Sequence, residues 1–445
     1  MDPQDRRAQI DLSCDVLIIG GGAAGLAAAV TAARQGLNVT LLERYGFCGG
    51  AAVAGLSGTI CGMYEASPND ARPPVQAVFG FVDAFVSRME ARGGLTPPVR
   101  YGKTFTRVHE PLAWRETADD LLAEAGVNVF YHTVVTGVLV EGGERVEGVR
   151  AYTKEGQLSA RAKIVIDASG DADVTAMAGL RCTIGDNGRV QNPTMIFRMM
   201  GVDVGRVFAE QGGDTIMGPH VSDLIANLHA QGDYILPRSK IFLFPTPRPD
   251  ELLCNVTRII GRDGRELNPL IAKDLTEAEI EGRKQVRQYE RFLRNHIPGC
   301  EKASVNDTGV QVGVRQTRQI VGASRLINED VVAGRKFADG IARSPWPIEL
   351  HSGAKPKLEW LMEDVYEVPY GCFVPERGEG LIAAGRCLSA EHEALASARV
   401  TAQCFSYGHA IGHAAAIAVK DGIAPRDIDG SDLRQVLNRD GARLD

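Results

Sequence analysis

The sequence predicts an α/β fold: a parallel sheet extended by an antiparallel meander, with an α+β unit inserted before the chain returns to the sheet. Three observations predict it. Residues 15–50, DVLIIGGGAAGLAAAVTAARQGLNVTLLERYGFCGG, run as a strand, a glycine turn, a small-residue helix and a second strand. Between 127 and 163, short β-rich runs are separated by Glu141-Gly142-Gly143 and Lys154-Glu155-Gly156, the punctuation of successive hairpins. From Leu381, LIAAGRCLSAEHEALASARVTAQCFSYGHAIGHAAAIAV restores an apolar run, a glycine and a small-residue helix.

The first strand is the apolar run 16–19, and Gly20, Gly22 and Gly25 follow it as G-x-G-x-x-G. The first glycine permits the tight turn, the second lets backbone approach a pyrophosphate, and the third lets the helix pack close to the strand. Ala23 and Ala24 open that helix, whose free N–H groups and positive dipole end suit phosphate charge. Glu43, with Arg44 beside it, ends the second strand 18 residues after Gly25. A carboxylate there accepts hydrogen bonds from ribose hydroxyls, and an acid in place of a basic residue argues against a 2′-phosphate and so against NADP. The segment is a Rossmann-like dinucleotide-binding unit.

The chain has 445 residues, enough for two or three domain-sized units. Hydrophobic content of 44% and charged content of 24% are those of an ordinary globular protein. Net charge of −7 gives no reason to expect nucleic acid or an anionic membrane as partner. No apolar segment follows Arg6-Arg7 as an export signal requires, and no uninterrupted apolar run reaches about 18 residues, so neither secretion nor a spanning helix is expected and the cytoplasm is the expected compartment. The nine cysteines are scattered without C-x-x-C, which argues against an iron–sulfur cluster, structural zinc or a disulfide framework. No metal site is expected.

Further along, a helix is expected over 75–91 and another over 112–125. Strands follow at 127–132, 134–140, 146–152 and 157–163, together a small antiparallel meander, and then a strand of the nucleotide unit at 164–169. From about 190 to 345 arginine, proline and histidine become more frequent, as in a separate cap, with a helix over 276–295 and strands at 240–244 and 310–318. Residues 381–384 read as a last parallel strand and 396–419 as one long helix. Its Ala/Gly content points to close packing on sheet or cofactor, and Arg399, Gln403, His409 and His413 argue against a membrane. The expected division is 1–190 for the dinucleotide unit (51–110 contributing to the substrate side), 191–345 for the cap and 346–445 for the returning part.

Six segments in order carry a family likeness: GGGAAGLAAA, LLERYGFCGG, VIDASGDADVTAMAG, GRVQNPTMIFRMMGVD, VRQTRQIVG, and AAGRCLSAEHEALASARV with YGHAIGHAAA behind it. The chain resembles FAD-dependent oxidoreductases of the glutathione-reductase-like flavoprotein superfamily, and distantly the succinate dehydrogenase/fumarate reductase flavoproteins. The resemblance implies an FAD-binding domain with FAD extended across it and the isoalloxazine ring at the cap interface. Gly20, Gly22 and Gly25 would then hold the pyrophosphate, Glu43 the ribose, and Gly49, Gly50 and Ala51 the diphosphate–ribitol region. Val134 or Val135 would meet adenine, and Ala168, Ser169, Gly170 and Asp171 would form the turn near the cofactor. Gly385-Arg386 stands where such flavoproteins usually have Gly-Asp or Gly-Glu beside the ribitol. A helix starting near Ser397 would aim its N-terminus at the flavin N1/C2 carbonyl. Phe47-Cys48 stands where covalently attached relatives carry His, so noncovalent FAD is expected. No second dinucleotide fingerprint occurs, so no dedicated NAD(P)H domain is expected.

Hydride exchange with flavin N5 needs a carbon held at the ring and usually a proton donor or acceptor. His392, just past Gly385, is the candidate acid/base and Arg399 the candidate ligand of a substrate carboxylate or of flavin O2; either could equally be structural. Arg315, in VRQTRQ with Arg318, is a candidate substrate ligand. Tyr101, His109, Arg198, His351 and Tyr370 are weaker candidates, and Cys48 is read as a packing residue. The expected activity is hydride transfer between a small polar, possibly carboxylate-bearing, substrate and flavin N5, as dehydrogenase, desaturase or ene-reductase. The electron partner and oligomeric state stay undefined. A flavin monooxygenase, and a nucleic-acid-modifying or structural-FAD protein, are the alternatives.

Overall fold

The computed structural model describes residues 8–209, 213–351 and 354–445; Arg6 and Arg7 lie outside the described residues. Its main sheet runs Asn128–Phe130, Val39–Leu42, Ala8–Ile19, Gly156–Asp167, Arg145–Tyr152, Val134–Glu141, with Leu381–Ala383 also paired to Gly156–Asp167. Ala8–Ile19 and Gly156–Asp167 lie parallel from Ala8 opposite Gly156 to Ile19 opposite Asp167. The two strands expected at 157–163 and 164–169 are therefore one. Its first half pairs antiparallel with Arg145–Tyr152, and its last residues pair parallel with Leu381–Ala383. No turn residue separates Lys163 from Ile164, so nothing local breaks the strand. The first strand also begins well before the apolar run, because pairing along Gly156–Asp167 holds its polar residues extended.

Helix Ala23–Arg34 covers one face of this sheet, and helix Thr401–Asp421 packs on that helix. The small residues of the second helix make the approach possible. A Cβ at Gly408 would lie 2.1 Å from the Ala24 carbonyl oxygen, and one at Gly412 would lie 2.7 Å from Thr31 Cβ. The small-residue face thus packs mainly on a neighbouring helix. The expected single helix over 396–419 is two, His392–Ala398 and Thr401–Asp421. Val400, extended at ψ 166°, breaks them apart.

The additional domain is built on an antiparallel sheet in the order Phe242–Pro245, Glu251–Asn255, Phe197–Met200, Ser304–Thr308. Helices Pro219–Gln231 and Ala272–His296 contribute Ile225, Tyr289, Phe292 and Leu293 to its core. The strand expected at 310–318 does not form: Gly313 makes an isolated antiparallel bridge with Thr194, and a ladder forms only at Arg318–Ile320, with Cys182–Ile184. Residues before it cross over the segment 54–55 instead, where a Cβ at Gly55 would lie 3.2 Å from Gly313 Cα. Backbone crossing at that distance needs glycine. Among the described residues no helix is long and apolar enough to cross a membrane.

Gly408→Ala is expected to lower the unfolding free energy by about 1–3 kcal/mol in a denaturant titration. Gly137→Ala, where a Cβ meets nothing within 4 Å, is expected to stay within about 0.5 kcal/mol of the parent.

Candidate active site

The cleft begins where the first two strands end. Residues 133–135 form one end, residues 20, 22–24 and 49–51 the middle, and Gly385, Arg386, Thr401 and Cys404 the other end. Glu43, Arg44, Ala168, Ser169 and Gly170 also line it. The three glycines of the fingerprint do different things. A Cβ at Gly20 would lie 2.6 Å from the Ala168 carbonyl, and one at Gly25 would lie 1.8 Å from the Gly20 carbonyl, so both positions are closed by the protein's own backbone. Gly25 accordingly packs the helix and stays out of the lining. A Cβ at Gly22 would meet only Gly50 Cα, at 3.9 Å, and the backbone there, φ −67°, suits any residue. Gly22 is small for something outside the protein.

Glu43 is buried and accepts hydrogen bonds from the N–H of Gly21 (2.6 Å) and of Tyr45 (2.9 Å). Burial raises its carboxyl above the usual range, against those two bonds. Cys48 lies behind the turn, where a Cβ at Gly21 would touch its Sγ. Burial pushes its thiol far up, so it is an inert packing group.

Two acids of the 168–173 turn divide the work differently from the sequence expectation. Asp171 is outside the lining: its Oδ1 accepts from Arg386 Nη2 (2.8 Å) and Thr317 Oγ1 (2.6 Å). Burial opposes its ionisation most strongly, but the Arg386 charge, the hydrogen bonds from Thr317 and Arg386 and the Arg44 charge together overcome it and hold the carboxyl below its usual range. Asp173 is the acid that reaches the cleft, paired with Arg318 at 2.6 Å. Ser397 is also outside the cleft, fully buried, donating to the Trp346 carbonyl at 2.6 Å and bonded to Tyr366 Oη. Because of the break at Val400, the N-terminus at the cleft belongs to the helix that starts at Thr401, and its cap position has no side-chain partner.

A second cavity adjoins the first and shares Ala51, Val314, Arg399 and Thr401 with it. Its wall adds Tyr101, Asn255, Arg315, Trp346, Glu349 and His351. Glu349 Oε1 accepts from Tyr101 Oη at 2.9 Å and lies 2.9 Å from His351 Nε2. Burial would raise the Glu349 carboxyl, yet His351, Tyr101 and Arg399 bring it down to about 2. Arg315 is buried and donates to the Asn192 carbonyl at 2.6 Å. Arg399 is half-buried, facing both cavities; its Nη2 donates to Gln191 Oε1 at 3.1 Å and its Nε has no hydrogen-bond partner among the described residues. Burial lowers Arg399 to about 10 against the pull of Glu349. Burial, with the charges of Arg238 and Arg399, also lowers Arg315.

The structure thus brings Arg315 and Arg399 together but leaves His392 out. His392 opens helix His392–Ala398 on the far side of the break, where Asp186, Arg189, Glu266 and Glu393 shape its field, and it lines neither cavity. His109 packs against Trp114 with the rings tilted, Arg198 pairs with Glu251 and Asp307, and Tyr370 donates to the Pro425 carbonyl, all away from both cavities. Glu349 was missed by sequence reasoning. The usable signal was Glu-x-His from the strand Ile348–Leu350 onward, which at a period of two puts Glu349 and His351 on one face.

A family model described as FAD dependent oxidoreductase matches residues 15–437. The chain belongs to this FAD-dependent oxidoreductase family. Digeranylgeranylglycerophospholipid reductase of Thermoplasma volcanium is 25% identical over 354 residues, 76% of this chain and 78% of the relative. Among solved structures, a geranylgeranyl bacteriochlorophyll reductase-like protein of Thermoplasma acidophilum superposes with a TM-score of 0.53 at 17% identity, covering 98% of this chain and 85% of its own. p-Nitrophenol 4-monooxygenase of Pseudomonas putida superposes at 0.50 and 11% identity, over 98% and 87%. Likeness at these identities is one of fold, and the fold serves both reductase-like and monooxygenase proteins, so the reaction must be argued from the cavity.

The cleft fits FAD. It is continuous from the 133–135 end to Thr401, it has two uncapped helix N-termini, and Gly22 keeps open a space that the protein itself leaves unfilled. Gly22→Ala is expected to leave the stability of the apoprotein within about 0.5 kcal/mol while weakening FAD binding by about tenfold or more in fluorescence titration. Gly25→Ala is expected to destabilise the apoprotein itself.

Proposed function

We propose that this oxidoreductase exchanges a hydride between flavin N5 and a carbon of a small carboxylate-bearing substrate, acting as a dehydrogenase, desaturase or ene-reductase. Bound FAD supplies the two-electron centre. The observation that carries the reading is the pair Arg315 and Arg399 in the cavity that shares a wall with the FAD cleft. Arg238, Arg315 and Arg399 share the field of one nearby carboxylate, Glu349. Excess positive charge held away from water is costly until an anion arrives, and a guanidinium fork matches a carboxylate. Arg399, at the boundary of the two cavities, positions the carboxylate; Arg315 anchors it from the additional domain. Trp346, Ile196 and Phe244 supply the apolar wall that excludes water from the reacting carbon. FAD is held noncovalently, since Cys48 before the double glycine is packed behind the turn.

The test is an anaerobic screen of short carboxylic acids and their amides against the holoenzyme, following flavin absorbance. Acids are expected to bind and bleach the flavin and the amides are not. Arg399→Ala is expected to weaken acid binding by about 10- to 100-fold, with Arg399→Lys recovering only part. Equal binding of acid and amide would sink the carboxylate reading. A product that carries oxygen from labelled O₂ would replace hydride exchange with monooxygenation.

A further inference from the structure

Hydride removal from a saturated carbon leaves a proton to be taken up elsewhere, and the sequence candidate for that task, His392, is outside both cavities. The substrate cavity holds another histidine, on a segment whose strand alternation turns it to the same side as a carboxylate. We propose that His351, oriented by Glu349 and Tyr101, is the proton acceptor for dehydrogenation of the bound carboxylate substrate.

The argument is geometric first. The ring of His351 forms part of the cavity wall, and its side chain is 9% exposed. Its Nε2 lies 2.9 Å from Glu349 Oε1, an oxygen that also accepts from Tyr101 Oη at 2.9 Å. Tyr101 donates to Glu349 and the carboxyl is held ionised, so Glu349 is the shared acceptor and His351 Nε2 carries a hydrogen toward it. The neutral ring is then the Nε2–H tautomer, with its lone pair on Nδ1. A carboxylate behind an imidazole fixes the tautomer and steadies the imidazolium that forms on proton uptake. Glu349 and Tyr101 are positioning residues; His351 is the group that touches substrate.

The surrounding charges make this base conditional on its substrate. Burial, then the charge of Arg315, and in smaller measure that of Arg238, depress His351 to about 3, while Glu349 opposes them. Arg399 faces the same cavity and acts on Glu349. With the cavity free of anion the ring is therefore neutral throughout the neutral range. A carboxylate seated on Arg315 and Arg399 cancels the cationic field that weakens the base, so anion binding raises the proton affinity of Nδ1. In the reaction a substrate C–H bond breaks heterolytically and an Nδ1–H bond forms. The electron pair becomes the new π bond, and FAD, when bound, would supply the two-electron oxidant that takes the adjacent carbon's hydride.

The inference rests on the carboxylate reading above, and the experiment separates the two. In the holoenzyme with ¹⁵N-labelled histidine, assigned with His351→Gln, the His351 ring is expected as the neutral Nε2–H tautomer from about pH 5 to 8. Glu349→Gln is expected to erase that tautomer preference, and saturating succinate to move the His351 titration upward. With the acid that bleaches flavin in the screen, His351→Gln is expected to slow flavin reduction by about 100- to 10,000-fold with its Kd changed less than about threefold. Tyr101→Phe is expected to act more mildly, and Glu349→Gln to alter the pH profile of the rate as well as its size. His392→Gln is expected to reduce at the parental rate. An Nδ1–H or charged ring at neutral pH, or unimpaired reduction in folded His351→Gln, overturns the proposal. If acids bind no better than amides, the carboxylate reading fails while the tautomer measurement still decides for or against His351.

Discussion

A Cβ at position 25 would lie 1.8 Å from the carbonyl oxygen of Gly20, and much of the molecule follows from the absence of that atom. With backbone directly on backbone, helix Ala23–Arg34 starts at the strand end with its first N–H groups directed at the cleft. Ala24 then becomes a meeting point. A Cβ at Gly408 would press on its carbonyl at 2.1 Å, and one at Gly385 would lie 3.0 Å from its methyl group. Three segments far apart in sequence are thereby fixed against one turn, and the helix that begins at Thr401 is held with its own N-terminus at the opposite end of the same cleft. FAD binding and packing of the nucleotide-binding half draw on the same contacts, which is why positions 22 and 25 separate so cleanly into ligand space and protein space.

Much of this half was legible because its constraints leave a local mark. A turn that forbids side chains needs glycine at fixed spacing, and the spacing is visible without any partner. The small-residue helix was likewise visible, although only its packed partner explains why Gly408 and Gly412 are there. What could not be read locally was pairing. Nothing in residues 156–167 says that one strand serves both the hairpins and the parallel sheet. Nothing in 310–317 says that Gly313 crosses Gly55 rather than joining a sheet.

The substrate side was the least legible, for a related reason. Its polar and charged groups come from residues 101, 315, 349, 351 and 399, scattered along the chain and gathered only by the fold. His392 attracted attention by its closeness to Gly385 in sequence. One short helix, His392–Ala398, intervenes, and it turns the ring toward Asp186 and Glu393 while delivering Arg399 at its other end to the cavities. Sequence distance from the cleft was right for the segment and wrong for the residue.

The two arginines near the Thr401 end of the cleft show how the fold assigns free charge. Arg386 pairs with Asp171 at 2.8 Å and also donates to Thr317, so its charge is met within the protein. It ties the 168–173 turn to the returning strand. Among the described residues, the Arg399 guanidinium has only the neutral Gln191 within hydrogen-bond reach, and its Nε is unpartnered. Removing one partner from a buried ion pair typically costs about 3–5 kcal/mol, so a fold that had no use for the Arg399 charge would gain by supplying an acid beside it. Glu349 is the nearest acid in electrostatic terms, yet its Oε1 is already shared by Tyr101 and His351. On the proposed reading, the carboxylate that completes Arg399 comes from outside the chain, at the boundary between the cavity lined by His351 and the FAD cleft. On that reading, an anion bound there would lie between the oxidant that FAD supplies when bound and a base whose strength the anion's own charge restores.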